Sequence, residues 1–404
     1  MVRLAVAFLA ALALPAFAQL PTGPWRTDFS KHSIPLTDFV STGANKDGIP
    51  PIDAPKFANP ESAAAWLAAD EPVIAISLNG EARAYPFQIL IWHLLVNDQI
   101  GSTPVLVSLS VLCNTAAVYD RRLAGATYTF GFSGAVHNSN LVIYDRQTQS
   151  FWQQLTGNAV AGSLNGAQLT RLPSAVVPFQ VFRQTYPNGK VLSRDTGMKR
   201  AYGANPYAKF LSPGRVLFPV SLPGPLPFPS TDPIVVVESN GATRAYSSSL
   251  VAEHRVLTGR LANTPFVIFS THKMLDAIDA PIIAGSRHTI AATVFSPTLN
   301  RRALTFYKHH GIFFDKETHS RWNLLGVCTS GPFAGKRLRP LTYTISDAFA
   351  WLAFYPDTPV MRPIGPGIPS AGEYLWPLSD SDMPPSSRAA WPPPAGSIPP
   401  PPPQ

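Results

Sequence analysis

The chain contains two stretches that match each other in order, about 161 to 170 positions apart. The earlier stretch begins at Pro72 and reaches His93, and the later one begins at Pro233 and reaches His254. Further along, four residues recur at identical spacing: Asp145, Thr148, Ser150 and Trp152, then Asp315, Thr318, Ser320 and Trp322. Because a period above about 50 residues is too long for a solenoid, the match predicts two copies of one domain-sized unit.

The first residues have the composition of a secretory signal peptide. Arg3 gives a positive start, residues 4–14 form an apolar run, and Ala16-Phe17-Ala18 is a typical cleavage pattern. The run is too short to span a bilayer, and no later stretch reaches 18 uninterrupted apolar residues. We therefore expect cleavage near Ala18, a periplasmic or secreted location, and no integral membrane segment.

Proline-rich segments divide the rest of the chain. Since proline lacks a backbone donor, such segments cannot form a helix interior or a central strand, and we expect them to be irregular. The predicted parts are a signal peptide (1–18), a wrapping segment (19–60), a first repeat unit (61–212), a linker (213–233), a second repeat unit (234–376) and a disordered tail (377–404).

Short apolar runs separated by turn residues indicate many strands in each unit. Asn79-Gly80 lies between two such runs and is typical of a hairpin. The almost wholly apolar segment Phe87–Val96 predicts a buried short helix that carries His93, and Val105–Val111 predicts a buried strand. We expect an α+β, strand-rich fold of two tandem, pseudo-symmetric units that pack on each other.

The recurring aspartate and tryptophan are interpreted as architectural. Identical spacing preserves identical turn geometry, so Asp145 and Asp315 should each fix the turn that precedes a tryptophan. We expect Trp152 and Trp322 to be core residues of their units.

Charge and motifs exclude several classes of protein. The formal net charge is +8, but only 14% of residues are charged and the basic ones come at most in pairs. No basic stripe of the kind that nucleic acid requires is present, so we expect no nucleic-acid partner. The sequence also has no phosphate loop, nucleophile elbow, zinc-protease helix or dinucleotide fingerprint.

The side chains best suited to chemistry lie in the first unit. A helix-borne His93 and a strand-end Cys113 are separated by one short connection, so they can lie side by side. Such a pair can form an activated thiolate nucleophile, or it can contribute to a site for a soft metal such as copper. The candidate metal ligands are His93, Cys113, His137, His254 and Met274. A hydrogen-bonded core histidine and a small buried thiol are the structural alternatives.

The two units differ at the candidate site. Met274 falls opposite Cys113 in the match, so thiolate chemistry is confined to the first unit, near the interface with the second. An oxidising compartment permits a disulfide, but Cys328 aligns with Ala159 rather than with Cys113. We therefore expect no bridge between the two cysteines.

Seven short motifs, taken in order, resemble those of one family. They are Asp47-Gly48-Ile49-Pro50-Pro51-Ile52-Asp53, Arg83-Ala84-Tyr85-Pro86, Trp92-His93, Val96-Asn97-Asp98, Leu112-Cys113-Asn114-Thr115-Ala116, Tyr144-Asp145-Arg146-Gln147-Thr148 and Trp152-Gln153-Gln154. The family is domain-of-unknown-function family 3179, which comprises exported bacterial and archaeal proteins. The resemblance covers roughly residues 45–361.

The resemblance implies no established activity, and this chain departs from the family pattern. Members commonly show Cys-Pro-Leu-Cys where this chain has Ser110-Val111-Leu112-Cys113. A Cys-x-x-Cys disulfide therefore cannot form, which argues against a dithiol redox cycle and weakens a two-thiolate metal site. Leu94 replaces the glutamate that commonly follows the histidine, and His137 stands where arginine is common. These departures indicate a degenerate or re-purposed member.

Three functions follow from these residues. The first is an exported metal- or redox-linked binding protein, with copper as the candidate metal and with His93 and Cys113 facing one pocket near the unit interface. The second is a non-catalytic binding module with a polar cleft. The third is a thiol enzyme that uses Cys113 as nucleophile and His93 as base.

Overall fold

A computed structural model describes residues 24–209 and 214–363, so the predicted signal peptide and tail lie outside the described residues. The fold is strand-rich, with 42% strand and 11% helix, and the predicted α+β class is confirmed. In these two ranges, no helix is long and apolar enough to cross a membrane. The Pro-rich linker forms neither strand nor helix over residues 214–232, and Pro233 begins the next strand.

The first half of the chain contains fifteen strands and three α-helices, with a 3-10 turn at Leu36–Asp38, over its described residues. The strands are β1 (Val40–Ser41), β2 (Phe57–Ala58), β3 (Pro72–Leu78), β4 (Glu81–Pro86), β5 (Leu95–Ile100), β6 (Thr103–Ser110), β7 (Thr115–Asp120), β8 (Arg122–Leu123), β9 (Ala126–Thr127), β10 (Phe130–His137), β11 (Asn140–Asp145), β12 (Phe151–Gln153), β13 (Ala159–Ala161), β14 (Ala175–Pro178) and β15 (Lys190–Leu192). The helices are α1 (Pro60–Ala63), α2 (Phe87–His93) and α3 (Phe179–Thr185).

The second half contains thirteen strands and two α-helices, with a 3-10 turn at Ile283–Gly285, over its described residues. The strands are β16 (Pro233–Ser239), β17 (Ala242–Ser247), β18 (Val256–Leu261), β19 (Thr264–Leu275), β20 (His288–Phe295), β21 (Thr298–Leu299), β22 (Arg302–Ala303), β23 (Phe306–His309), β24 (Ile312–Asp315), β25 (Arg321–Trp322), β26 (Cys328–Ser330), β27 (Tyr343–Asp347) and β28 (Val360–Met361). The helices are α4 (Ser248–His254) and α5 (Ala348–Phe354).

The matching stretches fold into the same kinds of element in the same order. In the first half, β14-β3-β4-β15-β2, β5-β6-β7 and β1-β10-β11-β12-β13 form sheets. In the second half, β27-β16-β17-β28, β18-β19-β20 and β23-β24-β25-β26 form the corresponding sheets. The hairpins also share their register, since Ile74 faces Tyr85 and Val235 faces Tyr246. A common origin of the halves stays a prediction from the sequence pattern.

The recurring aspartate holds the same turn in both halves. Asp145 accepts hydrogen bonds from the Thr148 backbone N–H (2.6 Å) and from the Trp152 indole Nε1 (3.0 Å). Asp315 accepts the equivalent bonds from Thr318 (2.7 Å) and Trp322 (2.8 Å). Both indole rings are buried, so the predicted core role of the two tryptophans is confirmed.

The two halves share a core rather than keeping separate ones. Strand β14 of the first half lies against β20 of the second, and β27 of the second lies against β7 of the first. Apolar side chains from both sides meet between them, with Val177 and Phe179 in the same cluster as Phe269 and Phe313. The contacts are reciprocal, which is the packing expected of two pseudo-symmetric units.

One segment of the second half crosses onto the first. Residues 276–287, here called the crossing segment, connect β19 to β20. Its backbone bonds to the first half, from Ile283 N–H to the Gly203 carbonyl (3.0 Å) and from Asn205 N–H to the Pro281 carbonyl (2.9 Å). The Ile283 side chain is fully buried in the first-half core that also contains Trp92. The crossing segment therefore contributes a buried side chain to the first-half core.

Candidate functional site

His93 lies at the end of α2 and has both ring nitrogens occupied. Nδ1 is 2.9 Å from the Pro50 carbonyl oxygen, and Nε2 is 2.7 Å from the Tyr202 hydroxyl. Burial lowers the pKa of His93 to about 4, so the ring is neutral near pH 7. The structure therefore gives His93 the surroundings of a hydrogen-bonded core histidine.

Cys113 lies in the turn between β6 and β7, and none of it is exposed to solvent. Its thiol is within hydrogen-bond distance of the Ser110 hydroxyl (3.2 Å) and the Thr115 hydroxyl (3.3 Å). The Asn140 side-chain amide donates to the sulfur at 3.1 Å. Burial raises the pKa of the Cys113 thiol, so it is neutral near pH 7. The structure does not bring the thiol into contact with the His93 ring.

A chain of buried amides connects Cys113 to His137. The Asn140 side-chain oxygen accepts from Gln153 Nε2 at 2.5 Å, and Gln153 Oε1 is 2.9 Å from His137 Nδ1. Asn140 also donates to Gln154 Oε1 at 2.9 Å. His137 is thus linked to the thiol through two amides and not directly.

The two predicted second-unit ligands lie in other surroundings. In the sequence match Met274 stands opposite Cys113, but β19 continues through Met274, which pairs with Thr289 of β20 and is buried in the shared core. His254 ends α4 and is exposed. The difference arises because the second half extends its strand where the first half turns.

The five predicted ligands therefore occupy separate environments. Over residues 24–209 and 214–363, no three His, Cys, Asp or Glu side chains are grouped closely enough to hold a metal ion. Cys113 and Cys328 are both buried, and neither is in a disulfide in this structure.

The burial of Cys113 predicts an unreactive thiol. In a Cys328→Ala variant, where Cys113 is the remaining cysteine, we expect no reaction with dithionitrobenzoate in the native state. Full reaction should follow in denaturant, because only unfolding exposes the sulfur and allows it to ionise. Reaction of the native protein at the rate of the denatured chain, or protection of the thiol by added Cu(I), would contradict the burial.

The turn that contains Cys113 borders a pocket between the two halves. The pocket, here called the inter-unit pocket, has a volume of about 340 Å³ and lies between that turn, the crossing segment and the start of α5. The Asp347 backbone N–H at the start of α5 donates to the Cys113 carbonyl at 3.0 Å. Asn114, whose φ is 49°, lines the pocket beside it. The Cys113 backbone thus helps to position one wall of the pocket, and its side chain does not line the pocket.

Carboxylates from the linker and from two parts of the second half line this pocket: Asp232, Asp276 and Asp347. Burial, and then repulsion from the other two, raises the pKa of Asp347 well above its ordinary value. Burial likewise raises the pKa of Asp276 and of Asp232. The Asp347 side chain does not cap α5, and no described residue donates a hydrogen bond to it. The Asp347 carboxyl also has no ion pair among the described residues.

Two other charged groups at the pocket are already paired. Arg287 forms a 2.7 Å ion pair with Asp279, and His288 lies 2.9 Å from the Asp70 carboxylate. Arg215 also lines the pocket, and none of these three cations forms an ion pair with Asp347 in the described chain. The arrangement can therefore accept hydrogen bonds and positive charge from a molecule that enters the pocket.

Sequence reasoning missed these carboxylates because no local pattern joins them. Asp232 precedes β16, Asp276 begins the crossing segment and Asp347 precedes α5, so they are widely separated along the chain. The available signal was an aspartate directly before the apolar helix Ala348–Phe354, a position that usually indicates a helix cap. Here the Asp347 side chain forms no capping hydrogen bond with the helix.

Comparison with known proteins gives one match. A family model matches residues 46–358, which is most of the chain. No curated protein and no solved structure matches the chain. The extent of the match agrees with the resemblance carried by the seven motifs. The chain therefore belongs to the family described as "Protein of unknown function (DUF3179)".

Proposed function

We propose that this protein is a non-catalytic binding protein that takes a small organic cation, such as a protonated amine, in the inter-unit pocket. The observation that carries the proposal is the Asp347 carboxylate, which lies in a pocket between the two halves without a hydrogen-bond donor. Desolvated ionisable groups with a specific charged neighbourhood cluster at functional sites. A volume of about 340 Å³ suits a small molecule.

The chemistry of the lining favours an organic cation. Asp232, Asp276 and Asp347 repel one another, and a donor-bearing cation relieves that repulsion while it replaces the hydrogen bonds lost with water. The described residues do not group three ligands closely enough for a metal ion. An ammonium group needs only one or two converging carboxylates, so it fits the lining better.

A binding role also fits the absence of an assembled reactive pair in the described pocket. Cys113 and His93 have separate partners, and neither lines the pocket. His288, the histidine of the lining, is engaged with Asp70. Since nucleophilic catalysis requires a nucleophile within hydrogen-bond reach of its base, the geometry supports binding rather than turnover.

The first test is the stability of Asp347→Asn. A carboxyl group whose pKa is raised in the folded state binds its proton more tightly there than in the unfolded chain. Folding stability is therefore lost as pH rises from the unfolded pKa, about 3.9, through the folded pKa. The neutral amide of Asp347→Asn removes this loss, so we expect Tm at pH 7 to rise by roughly 2 °C. The slope of Tm against pH should also flatten. A lower Tm would show that the carboxylate is structural.

The second test is binding by the same variant. We expect primary alkyl amines to raise the Tm of the wild-type protein at pH 7, and the matched neutral alcohols to have no such effect. Asp347→Asn should lose this stabilisation. Asp195→Asn is the control, because Asp195 is exposed and pairs with Lys56 at 2.7 Å away from the pocket. Equal shifts with amines and alcohols, or an unchanged response in Asp347→Asn, would refute the proposal.

We further propose that the protein binds its ligand outside the cytoplasm. The support is the sequence pattern of residues 1–18, which is typical of a cleaved signal peptide. N-terminal sequencing of exported protein should find the chain beginning at or near Gln19, and an intact Met1 in that fraction would argue against it.

A further inference from the structure

A second groove lies between the two halves and shares His288 with the inter-unit pocket. It has a volume of about 830 Å³ and is bordered by α3 of the first half and by β19 and β23–β25 of the second. Both halves are needed to form it, so its shape depends on their packing. It is here called the basic groove, for the charges that line it.

Positive charge exceeds negative charge along this groove. The basic side chains of the lining are His272, Lys273, His288, Lys308 and Arg321. Asp70 is the acidic residue of the described lining, and it is already paired with His288 at 2.9 Å. The groove therefore has uncompensated cations, in contrast to the acidic inter-unit pocket.

Lys308 is the most constrained of these cations. Its ammonium donates to the Ser270 carbonyl at 2.6 Å and lies 4.6 Å from the centre of the Phe313 ring. Burial, and then repulsion from Arg255 and Lys273, lowers the pKa of Lys308 to about 8. Within the described chain no carboxylate forms an ion pair with it. A partly buried ammonium in this position lacks a counterion.

The groove also has an apolar wall beside Lys308. Phe313 pairs with Lys308 across β23 and β24, so the two side chains lie on the same face of the sheet. Val181 of α3 lines the groove from the first half. An apolar body can pack here while its charged end reaches the ammonium.

We infer that the basic groove binds a soluble organic anion with an apolar body, its carboxylate contacting Lys308 and its hydrocarbon part packing on Phe313 and Val181. The excess of positive charge in the groove favours an anionic ligand. The apolar wall beside Lys308 favours an anion that also has a hydrocarbon part. The inference is independent of the inter-unit pocket, because the proposed ligand contacts other residues and carries the opposite charge.

The test is calorimetric titration of the full chain with octanoate at pH 7. We expect octanoate to bind at least about tenfold more tightly than acetate, which lacks the apolar body, and 1-octanol, which lacks the charge. Lys308→Met should weaken octanoate binding about tenfold or more, while Lys308→Arg should retain most of it. Similar affinities for all three ligands would overturn the inference.

Two controls separate this site from other effects. Lys46→Met removes another lysine that lies over aromatic rings, 4.5 Å from Trp25 and 4.7 Å from Tyr144, and should leave octanoate binding unchanged. Asp347→Asn should likewise leave it unchanged, so failure of the cation site and of the anion site are distinguishable. Binding to anionic vesicles with no binding of monomeric octanoate would overturn the soluble ligand in favour of a membrane surface.

Discussion

Replacing Trp152 with alanine should lower the free energy of unfolding by about 3–5 kcal/mol. The ring is 0% exposed, and its loss leaves a large cavity in the first-half core. The substitution also removes the indole donor of Asp145, a buried carboxylate that fixes the preceding turn. Urea unfolding at pH 7, followed by circular dichroism, measures the loss. An unchanged midpoint would show that this ring does not support the core.

Trp322→Ala is the matched variant in the second half. Trp322 is 2% exposed and donates to Asp315 at 2.8 Å, so a loss of similar size is expected. Since the halves share a core, each variant should shift one common transition. Two transitions, of which each variant shifts only one, would mean that the halves unfold independently.

The second large effect is expected for Asn140→Leu, at about 3–4 kcal/mol of unfolding free energy. Asn140 is fully buried, and its amide bonds to Cys113, Gln153 and Gln154 and to the backbone N–H of Leu155. Leucine has a similar size but no polar atoms, so it leaves Gln154 Oε1 and the Leu155 N–H buried without a hydrogen bond, and each costs about 1–3 kcal/mol. Cys113 and Gln153 keep other partners. Chemical denaturation measures the loss.

Cys113→Ala is the control for this network. A thiol is a weak donor and a weak acceptor, so we expect its removal to cost less than Asn140→Leu. If Cys113→Ala were the more destabilising change, the network would be organised around the sulfur. The thiol would then regain the central role that the sequence analysis gave it.

Features with a local signal could be predicted from the sequence. The Asn79-Gly80 hairpin, the short helix that carries His93 and the turn at Asp145 each depend on neighbouring residues, and the structure contains all three. The helix was predicted over Phe87–Val96 but ends at His93, because strand β5 begins at Leu95. The burial of Trp152 and Trp322 followed from their repeated spacing. These predictions succeeded because backbone geometry and side-chain period act over a few residues.

The candidate site depended on contacts that the sequence does not encode locally. The partner of His93 is Tyr202, which lies beyond α3, and nothing near either residue indicates the pairing. Met274 matched Cys113 by position, but the added crossing segment changed the structure around it. Asp347 gained its importance from Asp232 and Asp276, which packing alone brings near. Such sites are formed by residues that are distant in sequence, and the periodicity of the sequence does not indicate which of them come together.

The crossing segment also affects the order in which the chain can mature. Ile283 is part of the first-half core, yet it is synthesised long after the rest of that half. At the usual rate of translation, the interval between residue 209 and Ile283 is roughly 4–15 s. During that time a nascent first half exposes the apolar surface that the segment later covers. The core of the first half is therefore complete only after the crossing segment of the second half has been synthesised. A chaperone that shields the exposed surface would reduce aggregation during synthesis.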